Sequence, residues 1–195
     1  KANADVSGDT AFMRSERKHR AQLREKVDQI LPDIVERDEI DAHFSKLPGR
    51  YFHAHTAREI AADMQLVHRF MWNQLTAESK AALEPVITWR DETNHGCTSM
   101  RIATWNKHGL FSLLAGSFAH AGLSILSARG FTREDEIVLD TFHVVNAATG
   151  EMARKKQRET FEETLVAAMK GELDLHELLA HKNQQRPTDY HEGIA

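Results

Sequence analysis

The period of the apolar residues changes at Glu84, and that change limits what the chain can build. Before it, apolar positions recur three and four apart; just after it, they alternate. An amphipathic helix repeats every 3.6 residues and a half-buried strand every two. The first part is therefore expected to be helical and the second to supply a sheet. Leu23, Val27, Ile30 and Leu31 predict a helix that begins near Phe12 and is stopped by Pro32. Its basic residues, among them Arg14, Arg17, Lys18, Arg20 and Arg24, read either as an anion-binding face or as a solvated helix side aided by a Glu16/Arg20 pair. A short helix is expected from Asp38, with Ile40, Phe44 and Leu47 inward, ending at Pro48-Gly49. Thr56 with Glu59 forms a capping box ahead of the stripe Ile60, Met64, Val67 and Met71.

Past Glu84, "PVITW" and "TSMRIATW" read as strands joined by the polar "RDETNHG". Leu110, Leu113, Leu114, Ser117, Phe118 and Ala121 share one helix face, and Gly122 suits its left-handed stop. "SILSARGF" and "IVLDTFHVV" are strands around the hairpin turn "TREDE", and Arg154 to Lys170 is a helix burying Phe161, Leu165, Ala168 and Met169. Strand, strand, helix, strand, strand, helix predicts an α+β sandwich, an antiparallel four-stranded sheet with both helices on one face. The expected divisions are a polar N-terminal stretch (1–10), a helical linker (11–83), the sheet domain (84–172), and a short helix with a polar tail (173–195).

With 41% hydrophobic and 28% charged residues, a packed core is expected and general disorder is not. A formal charge of -4 offers no global attraction for nucleic acid or an anionic membrane. No apolar run approaches the roughly 20 residues of a membrane span. One cysteine, Cys97, excludes an internal disulfide and fits a reducing compartment. The polar start at Lys1, without methionine, reads as the beginning of a piece of a longer protein.

The stretch "NKHGLFSLLAGSFAHAGLSIL" carries most of the glycines that invite a chemical reading. A phosphate loop needs Gly-Lys-Ser/Thr after its first glycine, and a dinucleotide fingerprint needs three glycines in one turn; Gly109, Gly116 and Gly122 meet neither pattern. Mid-helix Gly116 is expected to mark close packing on the sheet. Gly116-Ser117 resembles the start of a nucleotidyltransferase site, but no acid stands between Phe118 and Gly130 to hold magnesium. His53-x-His55 would converge on a metal only if it lay on a strand. There is no His-Glu-x-x-His, no His-Asp pair, no motif to activate Cys97 and no partner in sight for Asp140; Glu134, Asp135 and Glu136 fall at a hairpin tip. Arg129-Gly130-Phe131 resembles an RNA-recognition motif, but the alternating aromatics that stack bases do not follow. No catalytic residue and no metal ligand is predicted.

What remains is a ligand-holding pattern. Asn106, Gly109, Leu110 and Phe111 follow a strand and open a helix; Gly122-Leu123-Ser124-Ile125 starts the next strand; Asp140, Phe142 and Val144 close a hairpin. This combination resembles the ACT domain, an amino-acid-sensing module. Pro48, Tyr51, Phe52, His55, Thr56 and Ile60 ahead of it extend the similarity, over roughly Asp38 to Glu172, to the C-terminal half of bifunctional PII uridylyltransferase/uridylyl-removing enzymes. The resemblance implies a ferredoxin-like fold, and a cytoplasmic regulatory fragment without catalysis or cofactor of its own, although the parent family uses divalent metal ions. It implies an amino-acid ligand, glutamine first, and a homodimer or pairing with a second ACT domain. It also implies the PII signalling protein as partner of the parent, with neither nucleic acid nor membrane. The ligand-binding residues it implies are Asn106, Lys107, His108, Gly109, Leu110, Ser124 and Ile125. A ligand-free dimerisation module is the alternative, since Lys107 and His108 are bulky. ACT domains end in a strand, whereas "ELDLHELLAHK" has helical spacing, so "PVITW" is expected to fill that edge and permute the sheet.

Overall fold

The computed structural model describes residues 3–76 and 84–184. Four helices come first: α1 (Asn3–Asp28), α2 (Arg37–Lys46), α3 (Gly49–Ala54) and α4 (Ala57–Thr76). Then follow β1 (Val86–Glu92), β2 (Cys97–Trp105), α5 (Leu110–His120), β3 (Leu123–Thr132), β4 (Ile137–Asn146), α6 (Lys155–Met169) and α7 (Leu175–Gln184). The polar tail after Gln184 lies outside the described residues.

Three helix boundaries differ from expectation, each for a local reason. α1 starts at Asn3 rather than near Phe12, because a helix already nucleated extends through a polar segment that holds no breaker but Gly8. It ends at Asp28, four residues before Pro32, where the proline ring would meet the Asp28 carbonyl. Pro48 does not end a helix; it is the extended N-cap of α3, with φ -68° and ψ 153°, where its missing N–H costs nothing. The Thr56 cap is as predicted: its N–H and hydroxyl donate to Glu59 at 2.8 Å each.

The sheet order is β1-β2-β4-β3. β1 occupies the edge beside β2, where a standard ACT sheet has its final strand, so the sheet is permuted as the strand pattern predicted. β3 forms the other edge.

The chain packs as two compact units that share the four strands. The first holds the described residues up to Thr88, with Arg101–Asn106 and Arg129–Thr141. Its core contains Val27, Tyr51, Phe52, Ile60 and Phe70 from the helices and Ala103, Phe131, Ile137 and Leu139 from the strands. Met64 and Val67 of the α4 stripe are buried, and Met71 is partly so. Burial of each such side chain contributes roughly 1.5–3 kcal/mol. Part of the basic side of α1 is committed to this unit: Arg20 donates to the Phe44 carbonyl at 3.2 Å and lies over the Phe52 ring, and Arg24 pairs with Asp41.

The second unit holds Trp89–Met100, Lys107–Ala128 and the described residues from Phe142 on. Phe118 of α5 stacks on Phe161 of α6, centroids 4.2 Å apart, and meets Phe142 of β4 at 5.1 Å. Trp89 meets Phe161 edge-on and donates its indole N–H to Glu162 at 2.6 Å. Gly116 is buried, but its neighbour is not the sheet. A Cβ there would lie 3.2 Å from Leu175 Cδ1, so α7 is what packs close to α5. Ser117 returns its hydroxyl to the Leu113 carbonyl at 2.7 Å, and Gly122 follows at φ +70°. The Gly-Ser pair is thus helix packing. No described helix is long and apolar enough to cross a membrane.

Candidate ligand-binding turn

In the second unit, Lys107 to Leu110 lead from β2 into α5. Gly109 is the N-cap with φ +75°, a left-handed conformation that favours glycine. The Leu110 N–H donates to the Lys107 carbonyl at 3.0 Å, and the Leu113 N–H to the Gly109 carbonyl at 3.1 Å. Between them, the amides of Phe111 and Ser112 meet no acceptor among the described residues, and no side chain caps the helix. Two open amides at the positive end of a helix are suited to a carboxylate. Leu110 is buried and anchors the turn. Lys107 reaches the other way, donating to the Met169 carbonyl at the end of α6 at 2.8 Å, where a cation suits the helix dipole. His108 is exposed.

Asn106 precedes this turn and belongs to the first unit. Its backbone N–H donates to the Glu136 carbonyl and its Nδ2 to Glu136 Oε2, both at 2.7 Å. That fixes the amide plane, with Nδ2 on Glu136. Glu136 itself sits at φ +65°, a strained position for a residue with a Cβ. We expect Glu136→Gly to raise stability by roughly 1 kcal/mol by relieving that strain. Glu136→Ala should lower it, keeping the strain and losing the exposed bond. Urea midpoints of the two variants should move in opposite directions.

Ser124 and Ile125 lie at the start of β3, exposed and half-buried respectively. They are not beside the turn. The 11 residues of α5 carry the chain about 16 Å away before β3 begins. One chain therefore presents the two parts of the expected site separately.

The remaining sequence candidates have other occupations. His53 and His55 are on the end of α3, not on a strand, and diverge: His53 Nε2 lies 2.5 Å from Glu16, and His55 is buried with Nδ1 2.9 Å from the Tyr51 carbonyl. Among the described residues no group of three or more His, Cys, Asp or Glu is arranged to hold a metal ion. Phe131 of the Arg129-Gly130-Phe131 motif is buried against Tyr51 and His55 and presents no stacking face to a base. Gly130 faces Asp140 across the strands: a Cβ there would lie 2.5 Å from Asp140 Oδ1. Burial pushes the Asp140 carboxyl up to about 6. A carboxyl raised in the folded state stabilises fully below its unfolded value near 4 and loses that contribution as pH rises through 6. Asp140→Asn should thus raise stability by roughly 2 kcal/mol at pH 7.5 and leave it unchanged at pH 4, as read from denaturation curves.

One polar cluster was not anticipated from the sequence. In the first unit Tyr51 donates its hydroxyl to Asp63 Oδ2 at 2.9 Å, and Arg101 of β2 donates to Asp63 Oδ1 at 2.6 Å and to the Glu59 carbonyl at 3.2 Å. His43 Nε2 lies 3.0 Å from the Tyr51 oxygen. Because the Tyr51 proton points at Asp63, Nε2 carries the His43 proton and Nδ1 is a bare acceptor. Burial above all, then the Arg133 charge, pushes His43 down to about 3, so it is neutral. Burial also raises Asp63 against the pull of Arg101. The overlooked signal is an acid within the apolar stripe of α4 and a base within the apolar strand β2.

The permuted four-stranded sheet, with a glycine-capped turn opening the helix after β2, is consistent with a ferredoxin-like ACT fold of the α+β class. The chain is similar to part of the bifunctional uridylyltransferase/uridylyl-removing enzymes. The enzyme of Azospirillum brasilense is 41% identical over 64 residues, 33% of this chain and 7% of that protein. That of Idiomarina loihiensis is 32% identical over 110 residues, 56% and 12% respectively. That of Aromatoleum aromaticum is 30% identical over 115 residues, 58% and 12% respectively. The chain thus spans about a tenth of the length of these curated relatives. No protein-family model and no solved structure matches it.

Proposed function

We propose that residues 84–172 are the amino-acid-sensing ACT module of a longer PII uridylyltransferase-like protein, with glutamine as ligand. The observation that supports this most is the pair of open amides, Phe111 and Ser112, behind Gly109. They receive the ligand's α-carboxylate. Chain direction explains why two copies are needed. β3 is an edge strand, and its residues from Ser124 to Gly130 are exposed except for the half-buried Ile125. An open edge of this kind invites another strand. β2 and β3 are parallel, each antiparallel to β4 between them. Two-fold antiparallel pairing of β3 with β3 of a second copy, or of a second ACT domain, brings the partner's strand start to the level of the first copy's turn. The partner then contributes Ser124 and Ile125 to a shared site. In the parent, ligand occupancy reports nitrogen status to the site that modifies the PII signalling protein. The buried thiol of Cys97 suits a cytoplasmic setting.

The alternative, a dimerisation module without ligand, rests on the exposed Phe111 (64%) and Leu126 (60%), which suit an interface with or without a bound amino acid. The two readings differ in one experiment. Leu126→Lys should give a folded monomer by sedimentation. Sensing requires that this variant also lose glutamine binding by calorimetry. If the wild-type dimer and a chain carrying the second ACT domain both fail to bind, the dimerisation reading stands.

A further inference from the structure

The first unit contains a pocket that the sensing site does not use. It has a volume of about 320 Å³, at the small end of the range for ligand sites. Its apolar lining is Met64, Val67 and Met71 of α4 with Ile137 of β4, and Leu75, 80% exposed, stands at its rim. Met64, Val67 and Ile137 are buried and form its floor, and the thioethers of Met64 and Met71 give a polarizable surface that adapts to a flat ring.

The polar lining is acidic. Asp38, Glu39 and Asp135 face a single guanidinium, that of Arg133. Arg133 is already satisfied, donating to both Asp135 oxygens at 3.0 and 2.9 Å, and Lys46 closes on Asp135 at 3.0 Å. Glu39 takes His68 at 2.9 Å and the Glu36 N–H at 2.9 Å. Asp38 is exposed and makes no ion pair or hydrogen bond among the described residues. His43 completes the wall. Its Nδ1 is a buried acceptor without a partner, and the tautomer set by Tyr51 gives it a lone pair to offer, not a proton. A buried polar atom left unpaired is uncommon in folded proteins. The cations of this wall are occupied, and the Asp38 carboxylate is open, whereas the His43 acceptor is unpaired but closed to solvent. An anion would meet excess negative charge here, and a neutral apolar molecule would gain nothing from Asp38.

We propose that this pocket binds a small amphipathic amine, its ring or chain against Met64, Val67, Met71 and Ile137 and its ammonium at Asp38. The site shares no residue with the glycine-capped turn and does not depend on the second copy.

Tryptamine is a suitable probe, with indole-3-acetate as a body of similar shape and opposite charge. Methyl-labelled methionine NMR on the full chain reads the site directly. Tryptamine should shift the Met64 and Met71 methyl signals in a saturable way, and indole-3-acetate should bind at least tenfold more weakly. Asp38→Asn should weaken tryptamine at least threefold. Ala42→Phe, which fills the pocket from α2, should abolish the shifts while circular dichroism stays unchanged. If Ala42→Phe does not fold, Met71→Phe serves the same purpose from the pocket's other wall. Tryptamine binding should survive Leu126→Lys, so that failure of the sensing dimer leaves this result readable. The proposal is overturned if millimolar tryptamine leaves both methionine signals in place, if indole-3-acetate binds as well, or if the filling variants bind like wild type.

Discussion

Arg101→Met should destabilise the chain by about 3–5 kcal/mol, the cost of leaving a buried charge without its partner. Asp63 is 3% exposed, and Arg101 supplies its closest cation, at 2.6 Å. Without the guanidinium, the carboxylate keeps the Tyr51 hydroxyl and has His55 Nε2 at 4.0 Å. Burial already raises Asp63, and loss of Arg101 raises it further. A carboxyl raised in the folded state loses stability as pH rises, so the deficit of Arg101→Met should grow from pH 5 to pH 8. Asp63→Leu combined with Arg101→Met should recover most of the loss, because two apolar groups leave no orphaned charge. Chemical denaturation of the single and double variants at both pH values checks this. Equal instability of the double and single variants would show that the strand and helix depend on something other than the ion pair.

Phe118→Ala should cost a similar 3–5 kcal/mol in the second unit. Phe118 is 1% exposed and lies between Phe142 and Phe161, so its removal empties the centre of the α5–α6 seam. The effect reaches the proposed site, because α5 holds Leu110 and with it the turn. Phe118→Leu should cost less than half as much, since it keeps most of the volume. Thermal unfolding separates the two substitutions, and a small loss for Phe118→Ala would mean that the seam collapses onto the gap.

Much of this architecture was legible because the relevant signals are local. Alternation after Glu84, the left-handed stop at Gly122 and the Thr56/Glu59 cap are set by neighbours a few residues away, and each appears where its residues predict it. The permuted edge strand was legible for a different reason: "PVITW" alternates, and the segment after α6 does not. What escaped is long-range. Gly116 is small because of Leu175, 59 positions later in the sequence, and a lone glycine does not reveal which element approaches it. Asp63 and Arg101 are 38 residues apart, and each looks like an isolated exception to an apolar pattern until the fold pairs them. The expected binding residues were individually recognisable by motif. Their separation by the length of α5 is set by the fold, and no motif carries it.

Calorimetric titration of the assembled dimer with L-glutamine tests the central claim most directly. The account predicts saturable binding that Leu126→Lys removes together with the dimer. Absence of heat from a verified dimer, and from a chain carrying the second ACT domain, would contradict it.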